Sequence, residues 1–143
     1  MSKDTQDWNP LDIPYRAFDK RRGKGSDRKK IPCCIYFRVS TEMQDFDRQK
    51  KIITDYISSE LGSAYYFPEG SQFLEKVSGQ DANRPEYRKL KAALRAKQYK
   101  VVLCASMDRF GRKLPELLSS IEECRKLDVE LRFIKDKLVI NNE

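Results

Sequence analysis

Two short, unbroken apolar runs constrain this chain most: Ile31-Pro32-Cys33-Cys34-Ile35-Tyr36-Phe37 and Val101-Val102-Leu103-Cys104-Ala105. A strand that is apolar at every position, not every second one, is covered on both faces. That pattern belongs to a parallel sheet between helices. A helical pattern follows each run. Phe46, Ile53, Tyr56, Ile57 and Leu61 keep one face apolar after the first; Leu114, Leu117, Leu118, Ile121, Cys124 and Leu127 do so after the second. Between them, Ala64-Tyr65-Tyr66-Phe67 predicts a second strand, and Gln72 to Val77 its continuation or a short separate one. Tyr87, Leu90, Ala93 and Leu94 give another helix its buried face. Val129, Leu131, Phe133 and Ile134 predict a fourth strand, and Leu138-Val139-Ile140 a short edge strand. The alternation predicts an α/β fold: a mostly parallel, four- to five-stranded sheet with helices on both faces.

Local signals refine this outline. Thr41-Glu42-Met43-Gln44 has the spacing of a capping box that opens the first helix, and Gly62 would stop it. Asn83 can cap the second helix, with Pro85 in its first turn. Ser78 to Ala82 reads as a mobile loop. Residues 1–30 form a different segment, with nine Lys/Arg against five Asp and no sustained periodicity. We expect a basic, flexible arm there, with a short helix possible around Pro14 to Lys20. Lys20, Arg21 and Arg22 are its candidate phosphate contacts. Residues 31–143 form the folded domain.

The net charge of +7 favours polyanionic partners such as nucleic acid, although a basic, soluble protein needs no such partner. The chain has no histidine, so every mechanism with a histidine general base is excluded. Cys33, Cys34, Cys104 and Cys124 form no CxxC pair and lie in apolar patterns. They read as buried, reduced thiols of a cytoplasmic protein, and no metal site is expected. No apolar run has membrane-spanning length.

In a parallel sheet, the strand ends that carry sites lie along one edge. The loop after the first strand supplies Arg38, Ser40, Gln44 and Gln49. The second segment supplies Glu75, Lys76, Ser78 and Arg84; the third supplies Asp108, Arg109, Arg112 and Lys113. Arginines and a lysine around one serine suit a phosphodiester, because guanidinium forks stay charged and bind phosphate oxygens bidentately. They would also stabilise charge building on five-coordinate phosphorus. Each residue has a plainer use. Ser40 fits a helix N-cap, although Thr41 fits that cap at least as well. Any one arginine can be a surface residue, and Asp108 beside Arg109 can be a solvated turn pair.

Three separated motifs appear in order: Tyr36-Phe37-Arg38-Val39-Ser40-Thr41, then Glu75-Lys76-Val77-Ser78-Gly79 with Asn83-Arg84-Pro85, then Asp108-Arg109-Phe110-Gly111-Arg112. With Leu131-Arg132-Phe133-Ile134, they resemble the catalytic domain of the serine recombinases, the resolvase/invertase family. The resemblance covers residues 31–143. It implies that Ser40 attacks a DNA phosphate, forms a 5′-phosphoserine and releases a 3′-hydroxyl, with no metal or cofactor. It implies that Arg38, Arg84, Arg109 and Arg112 bind the phosphate and activate the serine. Asp108 would hold arginines in place, and Gln44, Gln49, Glu75, Lys76 and Ser78 would support the site. Lys113 is a candidate DNA contact. Implied partners are double-stranded DNA and further copies of the chain, as a homodimer and a synaptic tetramer of the full-length enzyme. Glu75 stands where the family usually has Asp, and Phe37 where a small residue is common. Family members continue into a dimerisation helix and a DNA-binding domain, so a fragment of a longer recombinase is expected. A catalytically silent DNA-binding or regulatory module on the same fold is the alternative. A nucleotide binder is disfavoured by the absence of a GxGxxG or GKS/GKT loop.

Overall fold

The computed structural model describes residues 30–40, 42–76 and 83–142. The expected arm, Thr41 and the loop containing Ser78 lie outside them. Six short strands fill five places in one sheet. β1 (Ile31–Val39) is central, with β4 (Val101–Cys104), β5 (Glu130–Phe133) and β6 (Leu138–Ile140) following on one side. β2 (Tyr65–Tyr66) and β3 (Gln72–Lys76) share the other side in tandem: β2 pairs with Ile31 and Pro32, β3 with Ile35 through Val39. Every pairing is parallel except that of β5 with β6. Gln72 therefore opens a separate strand. The chain breaks before it at Gly70, whose φ of 81° suits a residue without Cβ, in a turn closed by the Ser71 N–H on the Pro68 carbonyl.

The unbroken apolar runs are explained by two cores. Cys34, Tyr36, Val102, Cys104, Leu131 and Phe133 face α2 (Pro85–Arg95) and α3 (Leu114–Lys126). Cys33, Ile35, Phe37, Val39, Val101 and Leu103 face α1 (Met43–Ser59) on the opposite side. Burying one such side chain is typically worth about 1.5–3 kcal/mol, so both faces of β1 stabilise the fold. All four cysteines are buried thiols, and burial pushes Cys33, Cys104 and Cys124 up to about 12.

Two helix starts differ from expectation. α1 begins after Glu42, one residue beyond the expected cap Thr41, which lies outside the described residues; Glu42 itself supplies no side-chain cap. α2 begins after Arg84, not on an Asn83 cap; the carboxylate of Glu75 on β3 accepts the N–H groups of Glu86 and Tyr87 at 3.3 and 2.8 Å. A residue eleven positions away thus does the capping, which local spacing cannot show. On α3, Leu114 and Leu118 are exposed, while Leu117, Ser120 and Cys124 turn inward. α2 and α3 both end in Schellman motifs without glycine: Lys97 (φ 64°) and Asp128 (φ 62°) take the left-handed position, with Gln98 N–H on Ala93 and Val129 N–H on Cys124 closing the turns.

Candidate active site at the C-terminal edge of the sheet

β1 continues to Val39 because β3 pairs with it as far as Lys76, so Arg38 is a strand residue, not a loop residue as its motif suggested. Tyr36 and Arg38 share one face of that strand. Ser40 is the first residue beyond the strand and is exposed. Its N–H donates to Asp45 Oδ2 at 2.8 Å, and its Oγ accepts the Glu42 N–H at 3.2 Å. The hydroxyl therefore stands at the open end of the sheet, held by a short local turn and not consumed as a helix cap.

The arginines converge on this edge by two routes. Arg38 Nη2 donates to the Asp108 carbonyl, and its buried Nε meets no acceptor among the described residues. Burial holds the Arg38 guanidinium below its usual range, and the charges of Arg84, Arg109 and Arg112 push it in the same direction against the opposing effect of Tyr36. Four arginines thus share one electrostatic neighbourhood. Arg109 follows β4 in a 3-10 turn, Met107–Arg109. It donates to Asp45 Oδ1 at 2.7 Å and to the Arg38 carbonyl at 3.3 Å. Gln49, one turn beyond Asp45 on α1, donates to the Arg38 carbonyl at 3.0 Å and to Asp45 at 3.4 Å.

Arg84 belongs to a more enclosed group. Its backbone is left-handed (φ 47°), a conformation that costs a non-glycine residue energy and persists only where its surroundings enforce it. The side chain is buried. It donates to Glu116 at 2.9 Å, to the Tyr36 hydroxyl at 3.2 Å and to the Phe110 carbonyl at 2.7 Å, and stacks 4.0 Å from the Tyr87 ring centroid. The Tyr36 hydroxyl in turn donates to Glu75 at 3.2 Å. Burial pushes the Tyr36 phenol up, beyond the help Arg84 gives its charged form. Burial also opposes the charge on Glu116, but the Arg112 N–H and the Arg84 guanidinium outweigh it and hold that carboxyl below its ordinary value.

The remaining predicted residues distribute as follows. Asp108 is exposed and reaches Arg38 through its backbone carbonyl; its carboxylate accepts the Ser106 hydroxyl. Its neighbour Arg109 pairs with Asp45 instead, because α1 turns that side chain inward while Asp108 is exposed on the 3-10 turn. Gln44, Lys76, Arg112 and Lys113 are exposed around the edge. The Arg112 N–H donates to Glu116 at 2.6 Å. Just before Arg112, Gly111 has no room for a side chain: a Cβ there would stand 2.6 Å from Leu117 Cα, so α3 starts directly against the loop. Lys20, Arg21, Arg22 and Ser78 lie outside the described residues. Among the described residues, no cluster of His, Cys, Asp or Glu could hold a metal, and no helix is long and apolar enough to cross a membrane.

Sequence reading missed Asp45, Glu116 and Asp136, whose carboxylate holds the Met107 N–H at 2.8 Å. Asp45 had a signal: Asp45, Gln49 and Ile53 recur every four residues and are the buried positions of α1. Glu116 lies one turn before the buried Ser120, beside the apolar stripe of α3. Asp136 had no local signal, since its partner is 29 residues away.

The chain is similar in sequence and in fold to known proteins. A resolvase/recombinase of Pseudomonas putida is 33% identical over 101 residues, covering 71% of this chain and 50% of that protein. The Tn501 resolvase of Pseudomonas aeruginosa is 32% identical over 71 residues, covering 50% of this chain and 37% of its own length. The chain thus spans half or less of these curated relatives. In fold, it is similar to the N-terminal catalytic domain of TP901-1 integrase, with a TM-score of 0.61, 20% identity, and 76% and 80% of the two chains covered. The C-terminal catalytic domain of ISC1926 TnpA, an IS607-like serine recombinase, aligns with a TM-score of 0.60, 24% identity, and 73% and 70% covered. The family model "Resolvase, N terminal domain" matches residues 33–143, and the chain belongs to that resolvase family.

Proposed function

We propose that the chain is the catalytic domain of a serine recombinase, which cuts and rejoins DNA through a 5′-phosphoserine on Ser40. One observation carries the reading. An exposed hydroxyl at the end of β1 stands two residues from a half-buried arginine, whose charge is opposed by three more arginines. An anion relieves that crowding, and the unmatched Nε of Arg38 is a donor suited to a phosphate oxygen. In the step itself, the Ser40 hydroxyl gives up its proton as its oxygen bonds to phosphorus, the bond from phosphorus to the 3′-oxygen breaks and that oxygen takes up a proton, and the arginines stabilise the charge on the non-bridging oxygens. The phosphoserine ester keeps the energy of the broken bond, so rejoining needs no cofactor. In the whole protein, this reading implies a homodimer that pairs into a synaptic tetramer on double-stranded DNA. Residues 31–143 would be the catalytic unit.

A second reading has its own observation. Arg84 is engaged by Glu116, Tyr36 and Phe110, and Arg38 by Asp108, as in a module that binds DNA without cutting it. Covalent trapping separates the two. The full chain is fused at its C-terminus, through a recombinase dimerisation helix, to a DNA-binding domain of known site. The substrate carries that site beside a cleavage sequence nicked to stop rejoining. We expect a protein–DNA adduct on a denaturing gel, lost in Ser40→Ala. Salt-sensitive DNA binding without adduct, unchanged in Ser40→Ala, would support the silent module.

A further inference from the structure

We infer that Asp45 is a positioning residue of this site, a single buried carboxylate that registers the nucleophile against one of its phosphate-binding arginines. The inference rests on the reading of Ser40 as the nucleophile. One oxygen of Asp45 receives the Ser40 N–H at 2.8 Å, and the other receives Arg109 Nη2 at 2.7 Å. The two oxygens are fixed to one carbon, so a shift of Arg109 is passed to the backbone of Ser40. Gln49 closes the ring, donating to Asp45 at 3.4 Å and to the Arg38 carbonyl at 3.0 Å; that carbonyl also receives Arg109 at 3.3 Å. Ser40, Arg38 and Arg109 come from two strand ends, and Asp45 on a third element touches two of them directly.

A purely structural use of Asp45 would look different. It occupies the first turn of α1, where a carboxylate is favoured by the helix dipole and commonly accepts that helix's own N–H groups. Here two of its three bonds leave the helix, to a residue before it and to the turn after β4, and the third comes from the Gln49 side chain, not from a backbone N–H. Nor is it a surface ion pair: Asp45 is 6% exposed. A guanidinium carries five N–H donors, and these contacts engage two of those on Arg109. The others remain for a phosphate while Asp45 keeps its hold.

The test follows adduct formation by the fused full chain with wild-type Asp45, Asp45→Asn and Asp45→Glu, across DNA concentrations. Asp45→Asn keeps size and an acceptor but removes the charge paired with Arg109. Its adduct rate at saturating DNA should fall about ten- to a hundredfold, the loss of one charge-assisted bond, with half-saturating DNA unchanged. Asp45→Glu restores charge at the wrong reach and should recover only part of the rate. Amide exchange on the 143-residue chain supplies a readout that general stability does not move. The Ser40 amide should lose protection in Asp45→Asn, while Val102 and Leu131 in the sheet keep theirs. A wild-type rate in Asp45→Asn would overturn the inference and leave the role of Ser40 intact. So would a rate loss matched by equal loss of DNA binding, or by loss of protection at Val102 and Leu131 in both variants. A wild type without a Ser40-dependent adduct would overturn the underlying reading, and the inference with it.

Discussion

Ser40 and Arg84 stand at the same edge of the sheet, yet their surroundings differ. Ser40 is exposed, and its hydroxyl meets one backbone N–H. Arg84 is buried, left-handed in backbone, stacked on Tyr87 and bonded to three partners from β1, the Phe110 loop and α3. The contrast separates the proposed chemistry from the framework. Ser40 can be changed at little cost to folding, because almost nothing leans on it. Arg84 cannot, because β1, the loop and α3 meet on its guanidinium. An arginine proposed to bind phosphate is therefore also a structural joint, and loss of activity in its variants cannot be assigned to phosphate binding alone.

Substitutions can break or sharpen this contrast. The largest effect is expected for Arg84→Ala. Removing one partner of a buried, hydrogen-bonded pair costs about 3–5 kcal/mol; with Glu116 partly solvated, we expect about 3 kcal/mol by urea unfolding. Arg84→Lys should recover little of it, since a single ammonium cannot span Glu116, Tyr36 and Phe110. Stability close to wild type in Arg84→Ala would remove the contrast. Tyr36→Phe deletes one hydroxyl that donates to Glu75 and accepts from Arg84, and should cost about 1–2 kcal/mol in the same assay.

Glu116→Gln should cost less, about 1 kcal/mol or under at neutral pH, because the Glu116 side chain is 37% exposed and solvent screens its pair. Its pH dependence has a definite sign. The folded carboxyl is held below its ordinary value of 4.5, so its contribution is present above that pH and is lost as pH falls through the lower folded value. The urea midpoints of wild type and Glu116→Gln should converge on acidification. Divergence would show that Arg84 does not depend on this charge. The smallest stability effect belongs to Ser40→Ala, within about 0.5 kcal/mol of wild type.

Much of this architecture was legible from periodicity. Unbroken apolar runs revealed β1 and β4 as covered on both faces, and the stripe through Tyr87, Leu90 and Leu94 marked the buried face of α2. Motif order brought Arg38, Ser40 and Arg109 to one edge. What escaped was tertiary. The cap of α2 comes from Glu75, which alternates inward with Phe73 along β3 but has no local relation to the helix it starts. Asp45 hid because a carboxylate in a first turn reads as a solvated, dipole-matched residue. Only the approach of the Met107–Arg109 turn reveals its second partner. The pairing of Arg109 with Asp45 escaped for the same reason: a sequence shows neighbours along the chain, and that pairing is across the sheet edge.

The most direct measurement of the central claim is the chemical site of the DNA linkage. The trapped complex of the fused chain would be digested with nuclease and protease, and the nucleotide-bearing peptide sequenced by mass spectrometry. The account predicts one modified peptide, with the 5′-phosphate on Ser40 Oγ. A phosphate on any other residue would contradict it, however closely the fold matches.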